Sequence, residues 1–128
     1  MKLLLDTHVF LWLRNAPEKI PQHIMTLYED IQSDVFLSMA SIWEMQIKNQ
    51  LGKLEIDLPL NELIKQQCLE NGLQVLAIET EHIYGLKNLP PHHNDPFDWL
   101  ILFQAQIEKM KLASADKLFK HYDVDCLW

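Results

Sequence analysis

Glycine is scarce, with three residues in a chain of 128, which excludes a Gly-rich linker and leaves little material for a glycine phosphate loop. Arginine is scarcer still: Arg14 stands alone, so reading of base edges by arginine is almost absent. The two cysteines, Cys68 and Cys126, lie far apart and form no CxxC or metal-type spacing, the usage expected of a reducing compartment. No stretch approaches the roughly 20 apolar residues that a membrane span needs. The opening MKLLLDTHVFLWL has the apolarity of a secretion signal, but Asp6 and His8 interrupt it and no small-residue cleavage site follows. A soluble, cytoplasmic protein with no membrane partner is expected. Positive charge is also short, since 11 Lys and Arg against 18 Asp and Glu leave −7. That balance argues against a nucleic-acid binder working by phosphate neutralisation alone. Metal ions or a basic partner would have to supply the missing charge.

What is present is an ordinary globular composition, 48% hydrophobic and 23% charged. The length suits one domain over residues 1–128, which would bury roughly two thirds of its unfolded surface. Lys2 to Leu5 reads as a fully buried parallel strand, and Val9 to Leu13 as a short helix stopping near Pro17. Gln22 to Ile31 carries Ile24, Leu27, Tyr28 and Ile31 at helical spacing. A second strand covers Val35 to Leu37, and Ser38 caps a helix from Met39 to Leu51. Leu60 to Leu69 forms another helix, Val75 to Ile78 a third strand, and Thr80 caps a short helix through Leu86. Loop follows over Leu89 to Asn94, then a helix from Asp95 to about Lys109. A strand at Lys111 to Ser114, a helix from Asp116 to Tyr122 and a strand at Asp125 to Trp128 complete the chain. Strands alternating with helices predict an α/β sandwich with a parallel sheet covered on both faces.

Ligands of open parallel sheets bind at the carboxyl ends of the strands. Asp6 follows the first strand directly, and Asp116 follows the fourth. Glu44 lies six residues past Ser38, about 9 Å along its helix, with its side chain leaning back toward the sheet edge. Asp98 sits in the first turn of its helix, and Ile101, Leu102 and Ala105 share its side. It is thereby set apart from the polar side expected to hold Gln104, Glu108 and Lys109. Each acid also has a plain structural reading. Asp6 and Asp116 suit helix caps, Glu44 pairs with Lys48 at i,i+4, and Asp95-Pro96-Phe97-Asp98 is a good helix start. Four capping acids, however, have no reason to converge on one sheet edge. Clustered carboxylates repel one another and persist where a cation joins them. Oxygen donors without paired His or Cys point to Mg²⁺ or Mn²⁺, and to phosphodiester hydrolysis.

The remaining polar residues read more modestly. His8 is near Asp6 and either structural or in reach of a substrate phosphate, while adjacent His92 and His93 suit a polar loop. Ser38 and Ser114 are either caps or hydroxyls that hold the neighbouring acids. Trp12, Trp43, Trp99 and Trp128 read as core or interface residues before base-stacking platforms.

LLLDTH at the N-terminus, SMASIWE with Glu44, LGKLE, LPPHHNDPFDWLI with Asp98 and SADKLF with Asp116 resemble the PIN-domain ribonucleases. Within that family the chain is most similar to the VapC-like toxins of bacterial type II toxin–antitoxin pairs, from Leu4 to Trp128. The resemblance implies a PIN-like three-layer α/β/α sandwich with a mainly parallel sheet. It implies an endoribonuclease site dependent on Mg²⁺ or Mn²⁺, in which Asp6, Glu44, Asp98 and Asp116 are catalytic and hold metal. Asp6 and Asp98 are then the firmest ligands, and Glu44 ligates directly, through water, or positions the nucleophile. Thr7, Ser38 and Ser114 fall where relatives carry hydroxyls that brace the site. Trp99 stands where many relatives have Arg, and Ser114 where many have Thr. The resemblance further implies an RNA substrate, a homodimer, and inhibition by a cognate antitoxin. Phe10, Leu13 and Ile24, taken as exposed on the early helices, are the candidate contacts for that partner. Two rivals remain: a PIN-fold binding partner of a DNA-binding antitoxin with weak or no catalysis, and a phosphotransfer domain built on Asp6. Thr7-His8 offers no second acid for the latter.

Overall fold

Lys2–Leu5 forms β1, whose three leucines have nowhere to go but inward, since both faces of this strand are covered. The computed structural model describes residues 1–90 and 95–128. The loop expected over Pro91, His92, His93 and Asn94 lies outside them. β1 is followed by α1 (Thr7–Asn15), α2 (Gln22–Glu29), β2 (Asp34–Ser38), α3 (Met39–Gln50) and α4 (Leu60–Asn71). Then come β3 (Gln74–Leu76), α5 (Thr80–Tyr84), α6 (Pro96–Ile107), β4 (Lys111–Ala113) and β5 (Cys126–Leu127). Short 3₁₀ turns cover Pro17–Lys19, Gly85–Asn88 and Lys117–His121.

The five strands run in the order β3-β2-β1-β4-β5, and every neighbouring pair is parallel. Alternation along β1 sends Leu3 and Leu5 to one face and Leu4 to the other. Leu3 and Leu5 join Val9, Phe10, Ile24, Met45 and Leu63 in one cluster. Leu4 joins Ala40, Ile101, Leu102, Leu112 and Phe119 in the second. The result is the α/β/α sandwich anticipated from the alternation of elements.

Several local expectations differ from what is seen. α2 stops at Glu29, because the Asp30 carboxylate accepts from Gln32 N–H at 2.9 Å and turns the chain, leaving Ile31 93% exposed. Glu79, not Thr80, is the residue ahead of α5, and its N–H donates to His82 Nδ1 at 2.9 Å. The segment after Asp116 is a 3₁₀ turn in place of an α-helix. Phe10 and Ile24, expected to be exposed, are buried at 5% and 1%, because α1 and α2 turn them onto the Leu3–Leu5 face of the sheet. Leu13 packs partly buried against the same cluster. Trp43 departs in the other direction at 54% exposure, its ring edge-on to Phe97 at 5.0 Å. Among the described residues, no helix is long and apolar enough to cross a membrane.

Candidate active site

Parallel register decides which residues meet at the sheet edge. Leu5 is level with Leu37 on one side and with Ala113 on the other, so Asp6, Ser38 and Ser114 leave the sheet side by side. Asp6 continues the ladder through its N–H to the Ala113 carbonyl at 3.0 Å. Its side chain caps α1, Oδ1 accepting from Thr7 N–H at 2.8 Å, and Oδ2 accepts from the Ser114 hydroxyl at 2.8 Å. The helix cap expected of Asp6 is thus present, and its second oxygen is held by Ser114. Ser114 Oγ in turn accepts from Asp116 N–H at 3.0 Å, linking the two acids through one hydroxyl.

Glu44 comes to the same edge from the second turn of α3 and is buried. Thr7 Oγ1 lies 2.8 Å from both Glu44 Oε1 and Ser41 Oγ. A hydroxyl has one proton, so Thr7 donates to the carboxylate and accepts from Ser41. Glu44 Oε2 accepts from Lys48 Nζ at 2.7 Å. Asp95 caps α6 through Phe97 N–H at 2.9 Å, and Asp116 caps its 3₁₀ turn through Leu118 N–H at 2.9 Å. Asp98 lies in the first turn of α6.

These elements enclose a pocket of about 340 Å³ lined by Asp6, His8, Trp12, Glu44, Lys48, Asp95, Asp98, Ala115 and Asp116. The four carboxylates singled out from the strand ends thus face one space. Thr7 and Ser114 stand behind them as braces. Ser38 does not: its hydroxyl donates to Gln104 Oε1 and accepts from Ala40 N–H as the cap of α3, so it touches no acid. Gln104 is the partner that the sequence hides. Expected on the polar side of α6, it is fully buried, its amide oxygen paired by Ser38 and its nitrogen by the Ala77 carbonyl. Asp95, Trp12 and Lys48 are pocket residues that the sequence offered only as a cap, a core aromatic and a surface pair. Spacing held the signal: Trp12 follows His8 by four, and Lys48 follows Glu44 by four, each pair on one helical face.

The pocket is short of positive charge. Burial pushes the Asp98 carboxyl up to about 8, with Asp6, Asp95, Glu44 and Asp116 adding their repulsion. Burial also raises Asp6, against the stabilising hydrogen bond from Ser114. Among the described residues no group of three or more His, Cys, Asp or Glu stands close enough together to hold a metal ion as placed here. The donor set is nonetheless that of a hard cation: carboxylate oxygens, no thiol, and mutual repulsion that a divalent ion would relieve. The residues fit a hard divalent cation in donor type, not yet in spacing.

A family model described as PIN domain matches residues 3–125. No curated protein matches the sequence significantly. Among solved structures, VapBC2 from Rickettsia felis, bound to a DNA fragment from their promoter, is similar at 14% identity and TM-score 0.73, covering 99% of this chain and 98% of that one. FitAB bound to an IR36 DNA fragment is 20% identical with TM-score 0.68, covering 98% and 93%. VapBC-1 from nontypeable Haemophilus influenzae is 18% identical with TM-score 0.65, covering 99% and 97%. At these identities the likeness is one of fold.

Proposed function

The chain belongs to the PIN-domain family, and from that premise we propose that it is a metal-dependent endoribonuclease of the toxin type, hydrolysing RNA phosphodiester bonds and restrained by a cognate antitoxin. One observation carries the reading: Asp6, Glu44, Asp98 and Asp116, drawn from four separate elements, line a single pocket at the carboxyl edge of the sheet. Structural capping accounts for them one at a time and not for their meeting.

Asp6, Asp98 and Asp116 would hold Mg²⁺ or Mn²⁺, with Glu44 ligating, acting through water or positioning the nucleophile. When bound, such a cation supplies positive charge to a phosphodiester and makes water more acidic. The chain's own residues do the positioning. Ser114 fixes the Asp6 carboxylate by one oxygen and the Asp116 backbone by the other side of the same hydroxyl. Thr7 fixes Glu44 by Oε1. Such outer hydrogen bonds orient metal-holding carboxylates in general.

The antitoxin half of the proposal rests on the family resemblance and on the similar structures VapBC2 and FitAB, both of which hold DNA. A chain of net charge −7 is poorly suited to grip DNA itself, so in such an assembly that task falls to a partner. A homodimer and a cytoplasmic location complete the proposal.

The test is cleavage of a defined RNA panel by purified, antitoxin-free protein with Mg²⁺, Mn²⁺ or EDTA, beside Asp6→Asn and Asp98→Asn. Cutting that requires metal and is lost in both variants is the expected result. Equal residual cutting by folded wild type and variants would overturn it and favour a binding protein without catalysis.

A further inference from the structure

Five carboxylates line the pocket, and an RNA strand brings further negative charge to it. Lys48 is the single Lys or Arg among the described pocket residues. A Glu–Lys pair at i,i+4 is ordinarily a solvated decoration in which both partners move freely. This pair is different. The Glu44 side chain is 4% exposed and the Lys48 side chain 42%, so a buried carboxylate anchors an ammonium whose other side is open.

Glu44 is itself fixed, because Thr7 occupies Oε1 while Lys48 occupies Oε2 at 2.7 Å. The chain Ser41–Thr7–Glu44–Lys48 thus runs from the interior to the pocket and ends in a cation. An ammonium has three donors, of which the Glu44 bond uses one. A compact point charge with free donors suits a phosphate oxygen approached from varied angles.

We propose that Lys48, anchored by Glu44, is a phosphate-binding residue of the pocket, receiving an RNA backbone phosphate and holding the strand beside the carboxylates. The proposal rests on the ribonuclease reading and adds a substrate contact to it. Phosphate contacts position a strand without reading its sequence. Loss of Lys48 therefore weakens all RNA substrates alike.

Two measurements test this. Cleavage is compared for wild type, Lys48→Ala and Lys48→Arg. Affinity for a labelled single-stranded RNA is followed against salt for the same residues in an Asp6→Asn background. Losing a hydrogen bond to a charged group predicts a fall in kcat/KM of about tenfold or more for Lys48→Ala, similar across RNA sequences, with most of it recovered in Lys48→Arg. One phosphate contact fewer also lowers the slope of log K against log salt by about 0.7 for a single strand. A purely structural lysine would leave that slope unchanged. The inference falls if wild type cuts RNA and Lys48→Ala cuts equally well. It falls too if the slope is the same with and without Lys48, or if arginine rescues nothing. If wild type cuts no RNA under any metal, the ribonuclease reading fails first and takes this contact with it.

Discussion

Gln104 offers a sharp test of how the two halves of the site are held together. It is fully buried in α6, with Oε1 accepting from Ser38 and Nε2 donating to the Ala77 carbonyl at 3.2 Å. Ser38 caps α3, which carries Glu44, while α6 carries Asp98, so the amide ties together the helices that bring these two acids to the pocket. Gln104→Met keeps the volume and removes the polar atoms. Ala77 is at an exposed position, so the stranded Ser38 proton is expected to carry most of the loss. A buried donor left unpaired costs about 1–3 kcal/mol. For a domain of this size a central loss of about 2 kcal/mol lowers Tm by about 8 °C. Urea and thermal unfolding of Gln104→Met, Ser38→Ala and the double variant form a cycle. Coupling of about 1 kcal/mol or more between the two sites is expected. Additive single effects, or a Gln104→Met cost below about 0.5 kcal/mol, would refute the tie.

Two further outcomes follow from the geometry. A Cβ at Gly85 would lie 2.0 Å from Phe103 Cζ, so Gly85→Ala should cost about 1–3 kcal/mol by overpacking. Adding Phe103→Leu should recover part of it, and a single variant as stable as wild type would dismiss the clash. The Asp98 carboxyl, raised to about 8 in the fold, ionises in the unfolded chain at about 3.9, so native stability falls as pH climbs between those values. Asp98→Asn should therefore gain in Tm over wild type from pH 5 to pH 8 in metal-free buffer. A constant gap would contradict the upward shift that burial and the neighbouring acids impose on Asp98.

Much of the frame was legible because it rests on local signals. Leu3, Leu4 and Leu5 announce a strand covered on both faces, and Asp6 ends it as a cap must. Parallel pairing then explains why residues at the carboxyl ends of β1, β2 and β4 gather, without any knowledge of their partners. What stayed hidden depends on distant partners. Gln104 looks solvated until Ser38, 66 positions away, is brought beside it. Phe10 and Ile24 look like exposed apolar residues until the sheet supplies a face to receive them. Lys48 forms the same i,i+4 pair in either setting, and only the burial of Glu44 distinguishes a surface pair from one aimed into a pocket.

The hydrogen bond from Ser114 to Asp6 joins residues 108 positions apart, because the first strand sits mid-sheet against the fourth. Closing so long a loop is entropically slow, and contacts of this kind form late in folding. In time, then, helices and the β1–β2 ladder have a head start over the pocket. During refolding, native helix content is expected to return before the Ser114–Asp6 contact closes.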